Sequence, residues 1–202
     1  MTQSHAVDAL PPGVAPRLAR FAAGMAALLD AHAPEPRIVE EGSGLLRDLL
    51  LHDDWLDPQY AQPDPQYYRQ YLLYRDPAAR FSVVSFVWGP GQKTPLHNHT
   101  VWGLVGILRG AEVSQEFRTD AAGHLQPHGA PQRLEPGTVC AVSPTLGDIH
   151  EVYNAYDDRV SVGVHVYGAD IGAVEREVFT LDGGRKPFRS GYANPANPAK
   201  PA

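Results

Sequence analysis

Residues 69–181 alternate between short apolar segments and turns rich in glycine, proline and aspartate, and this alternation constrains the fold more than any other feature. The segments are five to eight residues long, which is typical of strands and too short for most helices. They are residues 71–75, 81–88, 103–108, 111–118, 138–142, 151–156, 160–167 and 177–181. This many short strands at such spacing favour a mostly β sandwich or barrel.

The first third of the chain has a helical pattern instead. Apolar residues recur at helical spacing from Leu18 to Leu29 after Pro16, and this predicts a helix that ends at residues 32–34. A second, short helix is predicted over residues 44–51, with Ser43 as its N-cap.

With 202 residues, the chain has the length of one domain. We divide it into a helical segment (1–68) packed on the β body, the body itself (69–183) and a proline-rich C-terminal tail (184–202) that is irregular at its end. No internal repeat is visible, so a solenoid is not expected.

Composition excludes several classes of function. The formal net charge is −6 and no basic patch is visible, which argues against a nucleic-acid partner. No apolar stretch approaches the roughly 20 residues of a membrane helix, and residues 1–12 lack the pattern of a secretory leader. Cys140 is the one cysteine, so no internal disulfide can form. These features predict a cytoplasmic protein; they do not indicate its oligomeric state.

Three histidines are candidate metal ligands. Residues i and i+2 of a strand point to the same face, so His97 and His99 would place two imidazoles side by side. His150, immediately before a predicted strand, is the third candidate. On the spacing alone an accidental or surface pair is equally acceptable, since the chain has nine histidines.

The residues around these histidines resemble the two motifs of the cupin superfamily. The first match runs Gly91, five residues, His97-x-His99, three residues, Gly103, six residues, Gly110. The second runs Gly137, six residues, Pro144, two residues, Gly147, two residues, His150, three residues, Asn154. The resemblance implies a jelly-roll-like double-stranded β-helix barrel in which His97, His99 and His150 converge on one metal.

In the first cupin motif a glutamate usually stands where this chain has Gly103. A site of three neutral imidazoles leaves a divalent ion with its full charge, which favours anionic ligands such as a thiolate in the remaining positions. Zinc also accepts three histidines, so the ligands alone leave the metal open.

The chain further resembles the cysteine dioxygenase type I family. The segments that carry this resemblance are Pro95-Leu96-His97-Asn98-His99-Thr100, His150-Glu151-Val152-Tyr153-Asn154 and His165-Val166-Tyr167. It implies an Fe²⁺ enzyme that adds both atoms of O₂ to the sulfur of a small thiol and yields a sulfinic acid. It also implies a catalytic relay in which His165 supports Tyr167, whose hydroxyl points at the bound substrate.

Three positions resemble the bacterial 3-mercaptopropionate dioxygenases within that family. Gln70 stands where animal-type enzymes have a carboxylate-binding arginine, and Gly103 stands where they have a cysteine cross-linked to the tyrosine. Arg176, nine residues beyond Tyr167, matches the carboxylate-binding arginine of the bacterial enzymes. The resemblance therefore implies that the substrate is a small thiol carboxylate bound by Arg176 and Gln70. The favoured candidate is 3-mercaptopropionate.

One position departs from the family. The relay normally begins with a serine two residues before the histidine, where this chain has Gly163. Ser161 would lie about 13 Å from His165 along a strand, which makes it a poor substitute. The outer end of the relay therefore stays open.

Alternatives remain at this point. L-cysteine or mercaptosuccinate would serve as substrate in the same class of enzyme, and a non-catalytic cupin that binds a metal or small ligand is the alternative from another class. Without the family pattern, Tyr167 would be an ordinary barrel tyrosine and Arg176 a solvated surface charge.

Overall fold

The structure, a computed structural model, describes residues 14–194. Its helices are α1 (Pro16–Asp30) and α2 (Glu35–Leu50), followed by a 3-10 turn at Pro58–Ala61. Its strands are β1 (Arg69–Arg75), β2 (Ser82–Trp88), β3 (Leu96–His97), β4 (Gly103–Arg109), β5 (Glu112–Thr119), β6 (Leu125–Leu134), β7 (Val139–Val142), β8 (His150–Asn154), β9 (Ser161–Tyr167), β10 (Arg176–Phe179) and β11 (Arg185–Phe188).

The strands form two antiparallel sheets that enclose a shared interior. The first sheet has the order β1-β2-β9-β4-β7 and the second the order β11-β10-β3-β8-β5-β6. Phe86 and Trp88 of β2 pack with Tyr167 of β9 and with Val152 of β8, across the gap between the sheets. The predicted mostly β, cupin-like double-stranded β-helix with helices at its N-terminal end is confirmed.

The helices cover the outer face of the first sheet. Leu46 and Leu50 of α2 lie against Gly106 of β4, so closely that a Cβ at position 106 would be 2.6 Å from Leu50 Cδ1. Leu104 and Leu108 of β4 belong to this same helix-facing core. The β4 strand is therefore buried on both faces, which explains why its sequence is a continuous apolar run.

The prediction for the second helix was wrong in its extent. Helix α2 begins at Glu35, well before the predicted start, and Ser43 is a buried residue within it rather than its N-cap. A proline in the first turn starts the helix, where its missing N–H costs no hydrogen bond. Gly42 lies within the helix and allows close packing, because a Cβ there would be 3.0 Å from Leu104 Cδ1.

Two strands lie where turns or tail were predicted. The region around residues 120–131 was interpreted as a turn, yet β6 runs through it, and β11 lies inside the predicted tail. Both are edge strands. An edge strand tolerates proline and needs no alternating apolar face, so β6 (with Pro127) and β11 (with Pro187) carry little strand signal.

The short strand β3 was also not predicted, since it spans only two residues. His124 and His128 are exposed. The expectations for residues 1–12 and for the end of the tail lie outside the described residues. Within residues 14–194, none of the helices combines the length and the apolar character needed to cross a bilayer.

Candidate functional site

The three candidate ligand histidines meet in the interior. His97 of β3 is paired directly with His150 of β8, and cross-strand partners share one face of a sheet. His99 follows β3 by two residues. One nitrogen of each ring lies within 4.8 Å of the others, and all three side chains are buried. The three rings therefore converge as the sequence predicted.

Each of these rings is oriented by a hydrogen bond at Nδ1. The contacts are His97 Nδ1 to Pro95 O at 3.0 Å, His99 Nδ1 to Asp148 Oδ1 at 3.0 Å, and His150 Nδ1 to Ser114 Oγ at 3.2 Å. Such contacts leave Nε2 free for a metal. His99 Nε2 is buried and has no hydrogen-bond partner within the described residues. A buried polar atom without a partner is costly, and a metal ion would satisfy it.

The site holds these imidazoles in the neutral form that binds metals. Burial lowers the pKa of His97 to about 4, because the imidazolium loses its hydration there. Burial also lowers the pKa of His99 and of His150 well below the usual value, helped by the neighbouring histidines. The cluster is thus a set of three buried, neutral nitrogen ligands able to hold a divalent metal ion.

Asp148 braces the loop that carries His99 and Thr100, and sequence reasoning did not single it out although it stands two residues before His150. Its Oδ1 accepts hydrogen bonds from His99 Nδ1 and from the His99 backbone N–H, at 3.0 and 2.9 Å. Its Oδ2 accepts the Thr100 N–H at 2.9 Å. Thr100 adopts a φ of 62°, a conformation that this brace stabilises.

Asp148→Asn is expected to weaken metal binding by about 10- to 100-fold, because the amide cannot accept all of these hydrogen bonds and ring orientation is lost. Competition against a coloured chelator would measure the affinity. Asp158→Asn, at an exposed residue paired with Arg159, is the matched control. Equal affinities for the two variants would contradict the bracing role.

Arg176 points into the same interior. In the β10–β3 pair Val178 lies opposite His97, and Arg176, two residues away, shares its face. Arg176 is 4% exposed. One Nη2 hydrogen bond goes to Ser190 Oγ at 2.8 Å, and Nε has no partner. No carboxylate within residues 14–194 pairs with Arg176, and burial lowers its pKa. A buried cation with free donors is suited to an anionic ligand.

Gln70 joins Arg176 through Ser190. Gln70 is paired with Phe86 across β1 and β2, and it donates to Ser190 Oγ at 3.0 Å and to Gly191 O at 3.1 Å. Both predicted substrate-binding residues therefore contact one hydroxyl. Ser190 escaped the sequence reasoning because it lies in the predicted tail, 120 residues from Gln70.

Tyr167 and His165 also lie together, on β9. The Tyr167 hydroxyl is 3.0 Å from His165 Nδ1, and the tyrosine ring stacks on the His99 ring with centroids 5.3 Å apart. Burial raises the pKa of the Tyr167 hydroxyl, which keeps it protonated. Gly103 is the cross-strand partner of Tyr167, and a Cβ there would be 2.9 Å from the ring. The missing side chain at position 103 makes room for the tyrosine.

Cys140 lies elsewhere on β7, paired with Val105. Burial raises the pKa of its thiol to about 12, so it is not a reactive thiolate. Ser161 is engaged away from His165: its hydroxyl contacts the Ala111 backbone and donates to Asn154 Oδ1 at 2.8 Å. It takes no part in the pair formed by His165 and Tyr167.

Glu112 of β5 occupies the space beside Gly163. It is fully buried, and its Oε2 lies 3.5 Å from His165 Nε2. A Cβ at position 163 would overlap Oε1 of Glu112. The sequence offered only one signal for this residue, the absence of a side chain at the place where the family has serine.

A cavity of about 300 Å³ borders the histidine cluster and is lined by Ser114, Cys140, Gly147 and His150. A groove of about 600 Å³ lies instead on the outer surface by Leu96, Phe117 and Leu181. None of the three clustered histidines lines that groove. The chemistry is therefore concentrated in the interior between the sheets.

No protein-family model matches this chain. Among solved structures, one described as a conserved protein with a double-stranded β-helix domain from Klebsiella pneumoniae is 15% identical, with a TM-score of 0.48, and the match covers 63% of this chain and 93% of that one. A cupin superfamily protein from Desulfitobacterium hafniense is 14% identical, with a TM-score of 0.43 and coverage of 59% and 94%. An oxalate oxidase in complex with glycolate is 14% identical, with a TM-score of 0.45 and coverage of 59% and 60%. Likenesses at this level carry no argument about activity, which has to come from the site itself.

Proposed function

We propose that the protein is an Fe²⁺-dependent thiol dioxygenase that converts a small thiol carboxylate and O₂ into the corresponding sulfinic acid. The favoured substrate is 3-mercaptopropionate. The observation that carries the proposal is the pairing, in one interior, of three metal-competent histidines with a buried arginine that has no carboxylate partner among the described residues. A ligand with a metal-binding group at one end and a carboxylate at the other would satisfy both. The choice of iron and of oxygen chemistry rests on the resemblance of the sequence.

The charges around the site favour a substrate with one carboxylate and no amine. Arg176 is the one buried arginine or lysine in the described chain, so a second carboxylate, as in mercaptosuccinate, would lack a buried cation. An ammonium group, as in L-cysteine, would need a free acid. Asp76 is held by Arg80 and Asp148 by His99, while Glu112 accepts from Trp88 at Oε1 and faces His165 at Oε2, so none of these carboxylates faces Arg176 as a free acid.

The residues around the metal would bind and orient the substrate. Arg176 offers a planar fork that takes a carboxylate with two parallel hydrogen bonds, and Gln70 and Ser190 hold that fork in place. The Tyr167 hydroxyl, backed by His165, adds a hydrogen-bonding group beside His99. When bound, iron would supply a cation that accepts the thiolate and O₂ together, so that both oxygen atoms pass to sulfur with no other reductant.

Oxygen uptake by the iron-loaded protein with a panel of thiols tests the proposal. We expect one O₂ consumed per thiol, a sulfinate product, and the highest kcat/KM with 3-mercaptopropionate. L-cysteine, mercaptosuccinate and the carboxylate-free 2-mercaptoethanol should be poorer substrates. No oxygen uptake with any thiol, despite bound iron, would contradict the proposal and favour a non-catalytic binding protein.

A further inference from the structure

Two buried polar atoms without hydrogen bonds face each other in the interior. They are Glu112 Oε2 and His165 Nε2, 3.5 Å apart, and neither has another partner among the described residues. Glu112 is fully buried, and His165 is 3% exposed. Burying a carboxylate in this way is costly unless it is paired, so the glutamate requires an explanation.

The other contacts of Glu112 determine which atoms carry hydrogen. The Trp88 indole N–H donates to Glu112 Oε1 at 2.8 Å. On the far side of the His165 ring, Nδ1 lies 3.0 Å from the Tyr167 hydroxyl. Phe86 stacks on the ring with centroids 4.2 Å apart, which fixes the plane of the imidazole. A continuous chain of groups therefore runs from Trp88 through Glu112 and His165 to Tyr167.

The chain leaves no room for the family serine. A Cβ at position 163 would overlap Glu112 Oε1 and lie 2.7 Å from His165 Nε2. Gly163 and Glu112 are thus complementary, since the carboxylate enters from β5 the space that a side chain on β9 would otherwise fill. The serine hydroxyl of the family and the Glu112 carboxylate differ chemically, because a hydroxyl both donates and accepts hydrogen bonds whereas a carboxylate only accepts them.

We propose that Glu112 is the outer residue of a carboxylate–imidazole–hydroxyl relay, a positioning residue that keeps a hydrogen on His165 Nε2 and so leaves Nδ1 to receive the proton of Tyr167. This inference rests on the proposed function. The carboxylate cannot donate, so the ring nitrogen that faces it carries the hydrogen, and Nδ1 presents its lone pair to the Tyr167 O–H.

The relay accepts the proton that the thiol loses when it binds. When the substrate enters as a neutral thiol and is deprotonated on binding, its S–H proton passes to the Tyr167 oxygen while the Tyr167 O–H proton passes to His165 Nδ1, leaving a thiolate, a neutral tyrosine and an imidazolium. The imidazolium that results lies against the Glu112 carboxylate, which stabilises its charge. The same logic operates in hydrolases that combine a carboxylate, a histidine and a hydroxyl, in which the carboxylate holds the tautomer and stabilises the imidazolium.

Glu112→Gln inverts this arrangement with little change in shape. The Trp88 N–H can only donate, so the glutamine carbonyl should take the position of Oε1 and the amide NH₂ should face His165 Nε2. Nε2 must then accept, and the ring hydrogen moves to Nδ1. We expect kcat with 3-mercaptopropionate to fall by about 100-fold or more, with KM close to that of the wild type because Arg176 still binds the carboxylate.

The direct test locates the ring hydrogen by ¹⁵N–¹H NMR of the full chain loaded with Zn²⁺, a diamagnetic ion that three histidines also accept. Signals of His165 are assigned by their loss in His165→Gln. The inference predicts a hydrogen on Nε2 in the wild type and none on Nε2 in Glu112→Gln. Glu135→Gln, at an exposed residue paired with Arg133, is the matched control and should keep the wild-type pattern.

An Nε2 without hydrogen in the wild type overturns the inference, even if Glu112→Gln fails to fold. It is also overturned if Glu112→Gln folds and keeps hydrogen on Nε2. Because the NMR measurement needs no turnover, it separates the inference from the proposed function. A wild-type protein that oxidises no thiol contradicts the proposed function but leaves the NMR result unaffected. A wild-type protein that is active but carries no hydrogen on His165 Nε2 contradicts the relay alone.

Discussion

Replacing His99 with alanine is expected to abolish metal binding and thiol oxidation together. The variant loses one of the three buried imidazole nitrogens of the cluster, and two histidines remain. Loss of one of three protein ligands typically removes most of the affinity, because the remaining sites cannot complete the coordination. Metal analysis after loading and desalting, alongside oxygen uptake with 3-mercaptopropionate, measures both effects.

His124→Ala is the matched control for this variant, because His124 is an exposed histidine outside the cluster. It should load iron and turn over like the wild type. Normal iron content in His99→Ala would show that the ring at position 99 is not a ligand, and the catalytic proposal would then lose its metal centre.

Arg176→Met is expected to raise the KM for 3-mercaptopropionate by about 100-fold or more while leaving the metal content unchanged. Truncating one partner of a buried, hydrogen-bonded charge pair costs about 2–5 kcal/mol or more, and a 100-fold change corresponds to about 2.8 kcal/mol within that range. The methionine keeps an apolar stem against Phe188, whose ring lies 4.6 Å from the guanidinium carbon. Steady-state kinetics and metal analysis of the same preparation measure the two quantities.

The stability of Arg176→Met provides a second, independent readout. Burial lowers the pKa of Arg176, which means that its charge is held in the ligand-free protein at an energetic cost. Arg176→Met removes this cost together with the hydrogen bond to Ser190 and the cation–π contact with Phe188, and because these effects oppose each other Tm should stay nearly unchanged. Arg185→Met, at an exposed arginine on the neighbouring strand, is the control for general effects on binding. An unaltered KM in Arg176→Met would show that the carboxylate binds elsewhere.

Most of the β body was predictable because its strands carry their signal locally. The β2 and β9 segments are compact apolar runs, which require burial on both faces wherever they lie. The edge strands β6 and β11 gave no such signal, since an edge needs neither an apolar face nor a full set of N–H groups. The first part of helix α2 was missed, and the packing of Gly42 against Leu104 within it is visible only in the folded chain.

The candidate site likewise combines residues that could be predicted from the sequence with residues that could not. The histidine cluster was predictable because His97 and His99 are two residues apart and the resemblance to the second cupin motif marks His150. Glu112 and Ser190 were not, because each reaches the site from a segment distant in sequence and has no motif of its own. Their roles depend on contacts with His165 and Arg176 that only the folded chain brings together.

X-ray absorption at the iron edge, before and after addition of 3-mercaptopropionate, tests the central claim most directly. We expect three imidazole nitrogens in the coordination shell in both states, and one sulfur in that shell after the thiol is added. A shell with fewer than three imidazoles, or one that no sulfur enters, would contradict a site formed by His97, His99 and His150 with room for a thiolate.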